Sequence, residues 1–438
     1  MLTATLAVAA PAFAQIAQPT LRSSRPARGL FGGGIGDTSQ SLILTGSVGG
    51  GIDKAENVQV FDGAGNPIDQ TAPWSGGNAV ATTGLAYNLS LGRVYAGASF
   101  DARARYRDNQ VHNTFNAMGA SANVGWNIAS RTSLSASQGI SRQPRNIQSF
   151  YGGWFDSASS PNTVFDLSGA TSLGEYTTSQ TAVTFQQGFT ERIALNAGYS
   201  YYSFGSGGVG SVESTTSTVA AGLAYAIARG ISFRIGYGST AARYGSAAPV
   251  RYEGLVMDGG LVFDRALSIT RKTHLSFSTG LTGARDEGGH THYFATGRGT
   301  LTYEIGRSWT AALNYRRGVD FNQSFGQPMV LDMVSAGLSG DLSRRFNAGF
   351  TAASSWGAIG IAAGNNGFSA VSATANLRTA LTRNVGVSLL YAYGHYLVDD
   401  PRSLPFGMRP STDRQSIRAT LDVWVPLFTR ARRPDASR

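Results

Sequence analysis

From Gln40 onward, apolar and polar side chains alternate along the chain in runs of about 12 to 16 residues, longer than a typical globular strand. After Arg93, the even-numbered residues from Val94 to Tyr106 are apolar, whereas the odd-numbered residues from Tyr95 to Arg107 are mostly polar or charged. Successive side chains of a strand point to opposite faces, so this period of two indicates long amphipathic strands.

Short turns that carry arginine interrupt these runs at a spacing of roughly 38 residues, which indicates a repeated unit. Each unit is predicted to be a hairpin of two strands. One further strand is expected around residues 40–51 and another around 414–428. The total is about eighteen strands, with sixteen or twenty left open. The turns are Gly92-Arg93, Ser130-Arg131, Glu191-Arg192, Ala228-Arg229, Thr270-Arg271, Gly306-Arg307, Arg344-Arg345 and Thr382-Arg383.

Alternation alone does not separate a soluble sandwich from a membrane barrel. Strand length, very short turns at one end and variable loops at the other favour a transmembrane antiparallel up-and-down β-barrel, an all-β fold. Long loops are predicted at 52–77, 145–173 and 398–412. Aromatic residues also collect near both strand ends on the apolar face, as expected at two membrane interfaces. They are Trp126, Phe189, Tyr225, Phe233, Phe263, Phe277, Tyr303, Trp309 and Phe346 near the short turns, and Tyr106, Tyr201, Tyr237, Tyr315 and Tyr391 near the other end.

Composition agrees with a barrel. Charged residues make up 14% of the 438 residues, below the roughly 25% of soluble domains, and glycine contributes 56. Cysteine is absent, which excludes disulfides and thiolate chemistry. The net charge of +10 comes almost wholly from arginines spread along the chain, so nucleic-acid binding is not expected.

The predicted organisation has four segments. Residues 1–14 form an apolar stretch ending Ala12-Phe13-Ala14, which is typical of a signal peptide, here truncated because no positive charge precedes it. Residues 15–38 read as a periplasmic linker, residues 39–428 as the barrel, and residues 429–438 as a short basic tail.

These features together resemble the bacterial outer-membrane β-barrel family, and its porin-like members in particular. The resemblance implies a place in the outer membrane of a Gram-negative envelope, with both termini periplasmic. The chain departs from the family in one respect. Members end on an aromatic residue, whereas Phe428 is followed by ten residues (TRARRPDASR) and falls out of phase with the outward series Ile417 to Leu427.

The predicted lumen carries the residues of greatest functional interest. Eighteen strands leave an aqueous channel, and rings of arginine in a channel favour anions. The alternative is that the arginines pair with lumen carboxylates and select nothing. By parity the inward charged residues are Arg103, Arg105, Arg107, Arg234, Arg298, Arg316, Arg378 and Arg418, with Asp101, Asp258, Asp264 and Glu304 as opposing charges. By the resemblance, loop 145–173 is a candidate constriction, with Tyr151, Trp154, Phe155 and Asp156.

Other chemistry is not expected. The GSGGVG stretch at Gly205 joins two strands, so it lacks the strand-to-helix context of a nucleotide site. His290 and His292 have no third metal ligand nearby, and His395 lies near Asp399 and Asp400 in an ordinary loop. No catalytic residue, metal or cofactor is predicted, and the protein is not expected to be an enzyme.

The expected function is a passive, porin-like channel for small hydrophilic solutes, with a leaning toward anions. The alternatives left open are a barrel that exports or assembles an exopolysaccharide or other envelope polymer, and a structural barrel without transport. Expected partners are outer-membrane lipids and small solutes, with a homo-oligomer or periplasmic envelope proteins left open.

Overall fold

The computed structural model describes residues 38–56, 60–61, 67–68, 74–107, 114–144, 175–206, 213–228, 230–245, 250–266, 272–285, 289–306, 308–320, 328–361, 367–400 and 410–431. The predicted signal segment and most of the linker lie outside these residues. So do the four residues predicted to constrict the pore, Tyr151, Trp154, Phe155 and Asp156.

In the described part of the chain, 18 strands form one sheet in which sequence neighbours pair antiparallel, and the first strand pairs with the last. The prediction of an all-β, up-and-down barrel of about eighteen strands is therefore confirmed. A separate pair, β2 (Val60–Phe61) and β3 (Pro67–Ile68), lies between β1 and β4. The barrel strands are β1 (Thr38–Glu56), β4 (Trp74–Leu91), β5 (Val94–Arg107), β6 (Thr114–Ala129), β7 (Thr132–Pro144), β8 (Glu175–Gly188), β9 (Ile193–Ser206), β10 (Glu213–Ala228), β11 (Ile231–Tyr244), β12 (Val250–Ala266), β13 (Thr273–Arg285), β14 (Thr291–Ile305), β15 (Trp309–Asp320), β16 (Met329–Asp341), β17 (Phe346–Ile359), β18 (Gly367–Ala380), β19 (Val385–Val398) and β20 (Ser411–Ala431).

The five arginine turns that are described in full fall between consecutive strands, at one end of the barrel that we call the short-turn end. They are Gly92-Arg93, Ser130-Arg131, Glu191-Arg192, Arg344-Arg345 and Thr382-Arg383, whereas Arg229, Thr270, Arg271 and Arg307 lie outside the described residues. Gly92 (φ 53°) and Gly306 (φ 66°) adopt left-handed backbone angles that favour glycine at such turns. The Thr382 hydroxyl accepts hydrogen bonds from the backbone N–H groups of Asn384 (3.2 Å) and Val385 (3.0 Å). Both described chain ends also lie here, because Thr38 pairs with Ala431.

The opposite end, the long-loop end, differs from the sequence prediction in one place. Residues 52–77 were expected to form a loop, but β1 continues to Glu56 and β4 already begins at Trp74. Across these extensions Ile52 pairs with Gly77 and Ala55 pairs with Trp74. The glycine-rich run that precedes Ile52 weakens the strand signal in sequence, although the backbone ladder continues through it.

Many large apolar side chains lie on the outside of the barrel. Val48 and Ile52 on β1 are 58% and 61% exposed, and Ile235 and Tyr237 on β11 are 58% and 61% exposed. The alternate positions are smaller and less exposed, as at Thr240, which is fully buried. A soluble barrel would direct its apolar residues inward, so this arrangement is the reverse of a soluble core. None of the described residues belongs to a helix long and apolar enough to cross a membrane.

Phe428 departs from the sequence prediction because of an irregularity in β20. The pairing of β1 with β20 shifts between Leu42 and Ile43, which face Phe428 and Pro426 and leave Leu427 as an extra residue. A bulge of one residue moves every later side chain to the other face. Phe428 therefore joins the outward series opposite Leu42 and is 46% exposed, so the prediction that it is out of phase was wrong.

Candidate functional site on the inner wall

The inner wall is the face of the sheet opposite the exposed apolar residues. Directly paired residues share a face, so the register shows which inward side chains are neighbours. Around the closing strands β20, β1, β4 and β5, three adjacent rows cross the wall. These rows are Arg418–Gly51–Asn78–Arg107, Thr420–Gly49–Val80–Arg105 and Asp422–Ser47–Thr82–Arg103.

Glycine is required where β1 crosses the first two of these rows, at Gly51 and Gly49. A Cβ atom on Gly51 would lie 1.9 Å from the Ile417 carbonyl oxygen, and one on Gly49 would lie 2.1 Å from the Ala419 carbonyl oxygen. No side chain fits between β1 and β20 at these positions without moving backbone. Only strand β1 separates Arg418 on β20 from Asn78 on β4.

A buried ion pair crosses this section of the wall. Arg105 donates through an Nη atom to Asp53 Oδ2, and the two side chains are only 1% and 6% exposed. Asp53 is opposite Ser416 in the β1–β20 ladder, so it stands between Arg414 and Arg418 in register. Arg414 and Arg418 are themselves 5% and 7% exposed. We call Arg103, Arg105, Arg414, Arg418, Asp53 and Asn78 the inner cluster.

Asn78 is the polar group of the inner cluster whose hydrogen-bonding capacity is unused. Its side chain is 6% exposed, and neither amide atom has a hydrogen-bond partner among the residues that the structure describes. Leaving a buried polar group unpaired costs about 1–3 kcal/mol, so such groups are rare in structural roles. Its amide carries both donors and an acceptor, and they lie beneath the surface of the inner wall beside the arginines.

Asp422 organises a second network, nearer the short-turn end. Its carboxylate accepts hydrogen bonds from the hydroxyls of Ser388 (2.6 Å) and Thr420 (3.0 Å), which are 2.6 Å apart. Arg378 Nε lies 3.9 Å from the same carboxylate. Arg378 was one of the sequence-predicted lumen arginines, and its carboxylate neighbour is one that the sequence analysis did not include.

The remaining predicted lumen residues are distributed around the ring. Arg298 on β14 is directly opposite Arg316 on β15, and Arg234 on β11 is 9% exposed. The backbone positions of Asp258 and Asp264 are opposite Gly236 and Ser276. Asp101 is opposite Gly119, where a Cβ atom would lie 2.9 Å from its carboxylate, and Glu304 is opposite Thr310. Asp101 is in the row next to Arg103 of the inner cluster, whereas Arg234, Arg298, Arg316, Asp258, Asp264 and Glu304 are on other strands.

The sequence analysis missed four residues of this wall, namely Asp53, Asn78, Arg414 and Asp422. Arg414 and Asp422 have the same parity as Arg418, so the alternation of β20 could have identified both. Asp53 was assigned to the predicted loop 52–77, and Asn78 lies at the edge of that loop. The two wall carboxylates found near arginines, Asp53 and Asp422, are both outside the predicted set of opposing charges.

An apolar cluster occupies a different section of the barrel at the long-loop end. Ala242, Tyr244, Ala284, Val319 and Ile361 are buried against one another, with Tyr252, Phe294 and Val330 packed beside them. The Tyr244 and Tyr252 rings meet edge to face with centroids 5.5 Å apart. The inner cluster and this apolar cluster therefore line the barrel with opposite chemistry.

His395 lies in strand β19, so the prediction that it belongs to a loop was wrong. His395 Nδ1 lies 2.9 Å from Asp413 Oδ1 on the adjacent strand, and the Tyr393 hydroxyl donates to the same oxygen at 3.1 Å. Asp399 instead donates its backbone N–H to the Gly367 carbonyl oxygen. His292 lies within β14 and His290 just precedes it. Among the described residues, no group of three or more histidines and carboxylates is arranged to hold a metal ion.

The comparisons with known proteins show a similarity in fold alone. No protein-family model matches the chain, and no curated protein matches it. Among solved structures, OccK2 (OpdF) of Pseudomonas aeruginosa in complex with glucuronate is similar with a TM-score of 0.45 and 10% identity, over 90% of this chain and 100% of that chain. OccAB4 of Acinetobacter baumannii has a TM-score of 0.43 and 12% identity, over 89% and 99%. The siderophore receptor PirA of P. aeruginosa has a TM-score of 0.41 and 9% identity, over 87% and 80%. No residue role is transferred from these proteins to this chain.

Proposed function

We propose that this protein is a passive channel of a bacterial outer membrane for small hydrophilic solutes, with a preference for anions. The long-loop end faces outward from the cell, and both termini are periplasmic. The observation that carries the proposal is the inner cluster, in which arginines surround a buried amide with no partner among the described residues.

The exterior of the barrel supports the membrane location. Exposed apolar side chains alternate along the strands, and a closed sheet leaves no unpaired edge in a solvent that offers no hydrogen bonds. Short turns at one end and longer connections at the other are typical of periplasmic turns and external loops. That asymmetry supports the orientation.

The width of the barrel supports a channel. Barrels of 16 to 18 strands enclose more space than their own side chains fill. In the three rows between β20 and β5, the inner wall carries glycine, serine and threonine, together with Val80 and Asn78, beside the charged side chains. Rings of arginine in a confined aqueous lumen raise the local concentration of anions.

The preference for anions comes from one section of the wall rather than from the whole ring. Carboxylates occupy the wall at Asp101, Glu304 and Asp422, which offsets part of the arginine charge. Within the inner cluster, four arginines accompany the single carboxylate Asp53. We therefore place the selectivity at β20, β1, β4 and β5, where the positive charge of the arginines acts on a solute carboxylate or phosphate that passes along the wall.

Planar-bilayer recordings of the purified barrel test this function. Stable conductance steps are expected, with a reversal potential in a salt gradient that shows faster passage of anions. Arg414→Gln/Arg418→Gln should shift the reversal potential toward cations while conductance steps persist. The matched control is Arg378→Gln, whose neighbour Asp422 retains two hydroxyl donors. A barrel that never conducts contradicts the channel, and an unchanged reversal potential in the double variant contradicts the assigned site.

A further inference from the structure

The outward face of β11, β12 and β13 carries an excess of positive charge directly above the apolar band. Arg243 on β11 is paired in register with Arg251 on β12, so two guanidinium groups stand side by side on the outside. Glu253 on β12 is paired in the same way with Arg285 on β13. We call Arg243, Arg251, Glu253 and Arg285 the outer cluster.

The register fixes both the face and the height of this cluster. Tyr237 faces Met257, and these exposed residues share a face with Arg243 and Arg251. Moving toward the long-loop end, the rows are Ser239–Leu255, Ala241–Glu253 and Arg243–Arg251. The apolar band on β12, from Phe263 to Leu255, therefore ends two rows before the paired arginines, and the Ala241–Glu253 row lies between them. This is the height at which lipid head groups begin.

Among the described residues, the outer cluster has fewer carboxylates than guanidinium groups. Arg285 Nη1 lies 3.9 Å from Glu253 Oε2, and its Nε donates to the Gly289 carbonyl oxygen at 3.1 Å. Within the part of the chain that the structure describes, neither Arg243 nor Arg251 forms an ion pair. Like charges directly opposite one another on a sheet are destabilising. Of the three guanidinium groups, only that of Arg285 has a carboxylate neighbour among the described residues, namely Glu253.

Two other outward cations at the long-loop end have carboxylate neighbours. Lys54 Nζ lies 3.6 Å from Glu56 Oε1. Arg317 Nη1 lies 3.2 Å from Asp332 Oδ2, and the Tyr315 hydroxyl donates to the same carboxylate at 2.7 Å. The surplus on β11–β13 is therefore a local property and does not describe the whole rim.

We propose that the outer cluster binds the phosphate groups of a phosphorylated glycolipid of lipid A type in the outer leaflet. Arg243 and Arg251 hold one phosphate between them, as planar guanidinium groups bind phosphate oxygens through paired hydrogen bonds. The acyl chains of the same lipid pack on the apolar band below, along Tyr237, Leu255 and Met257. The proposal rests on the orientation given above, because that orientation places the cluster in the outer leaflet.

Native mass spectrometry of the full-length barrel, incubated with bisphosphorylated lipid A in neutral detergent, tests the proposal. The wild-type protein should retain this lipid roughly tenfold or more above Arg243→Gln/Arg251→Gln, since each surface arginine contributes substantially to binding an anionic membrane surface. Dephosphorylated lipid A should bind both proteins equally and weakly. Lys54→Gln is the matched control, because that cation already has a carboxylate, and it should retain lipid like the wild type.

Three outcomes would overturn the proposal. The first is that a folded Arg243→Gln/Arg251→Gln variant retains as much lipid A as the wild type. The second is that Lys54→Gln loses as much lipid A as the double variant. The third is that millimolar inorganic phosphate displaces the lipid, which would indicate a site for soluble phosphate. Tighter retention of phosphatidylglycerol than of lipid A would contradict the orientation. Bilayer conductance of the double variant separates this site from the channel, because it should remain at the wild-type level whether or not lipid binding is lost.

Discussion

The inner and outer clusters use the same side chains on opposite faces of one sheet. The inner cluster lies on β20, β1, β4 and β5, and the outer cluster lies across the ring on β11, β12 and β13. The inner Arg105–Asp53 pair is almost fully buried, whereas the outer Arg285 and Glu253 side chains are 56% and 72% exposed. The role of an arginine in this barrel therefore depends on its burial and on the face of the sheet that it occupies, because the residue type is the same in both clusters.

The largest difference between the clusters is expected when each loses its carboxylate. Asp53→Ala leaves Arg105 buried without its partner, which should lower the free energy of unfolding by about 3–5 kcal/mol. Glu253→Ala removes an exposed partner at 3.9 Å and should cost about 0–1 kcal/mol. Urea unfolding in lipid vesicles, followed by tryptophan fluorescence, measures both. Equal losses would remove the distinction between the two sites.

A smaller effect is expected from the backbone beneath the inner cluster. Gly51→Ala places a methyl group against the Ile417 carbonyl oxygen, so β1 and β20 must separate at a cost of about 1–3 kcal/mol. Gly77→Ala on β4 is the control, since a Cβ atom there has nothing within 4 Å. Heat-modifiable gel mobility should show a lower melting temperature for Gly51→Ala alone. An identical shift in both variants would show that the close approach is unimportant.

The smallest expected effect on stability has the opposite sign. Asn78→Leu removes a buried amide with no partner among the described residues. The free energy of unfolding should therefore stay the same or rise by up to about 1 kcal/mol. Asn347→Leu is the contrasting control, because its Nδ2 donates to Gly340 and Asp341 at 3.1 Å each, and it should destabilise the barrel. A clear loss of stability in Asn78→Leu would indicate that Asn78 has a structural partner.

The sequence predicted the fold well because a period of two determines which face each residue occupies. The eight arginine turns and two flanking strands led directly to the eighteen strands that the structure contains. Phe428 could not be assigned correctly, since a single-residue bulge at Leu427 reverses the parity and leaves no mark in the pattern.

The site was harder to predict than the fold. Parity identifies a face, but it does not identify which inward residues meet across strands that are distant in sequence. Asp53 and Arg105 are joined only because β1, β4 and β5 are neighbours in register, and Asp53 was assigned to a loop. The constriction formed by loop 145–173 stays a prediction, because that loop lies outside the described residues.

The seam between β1 and β20 has a consequence for how the barrel forms. Ser39 donates to the Arg430 carbonyl oxygen across 391 residues of intervening chain. Bringing the ends of so long a segment together costs about 5 kcal/mol of chain entropy, more than any neighbouring hairpin requires. The seam joins the two longest described strands, of 19 and 21 residues, so many ladder bonds form at once when it closes. We therefore expect closure to be the slow and final event of assembly, and a barrel interrupted before it to expose two long unpaired edges.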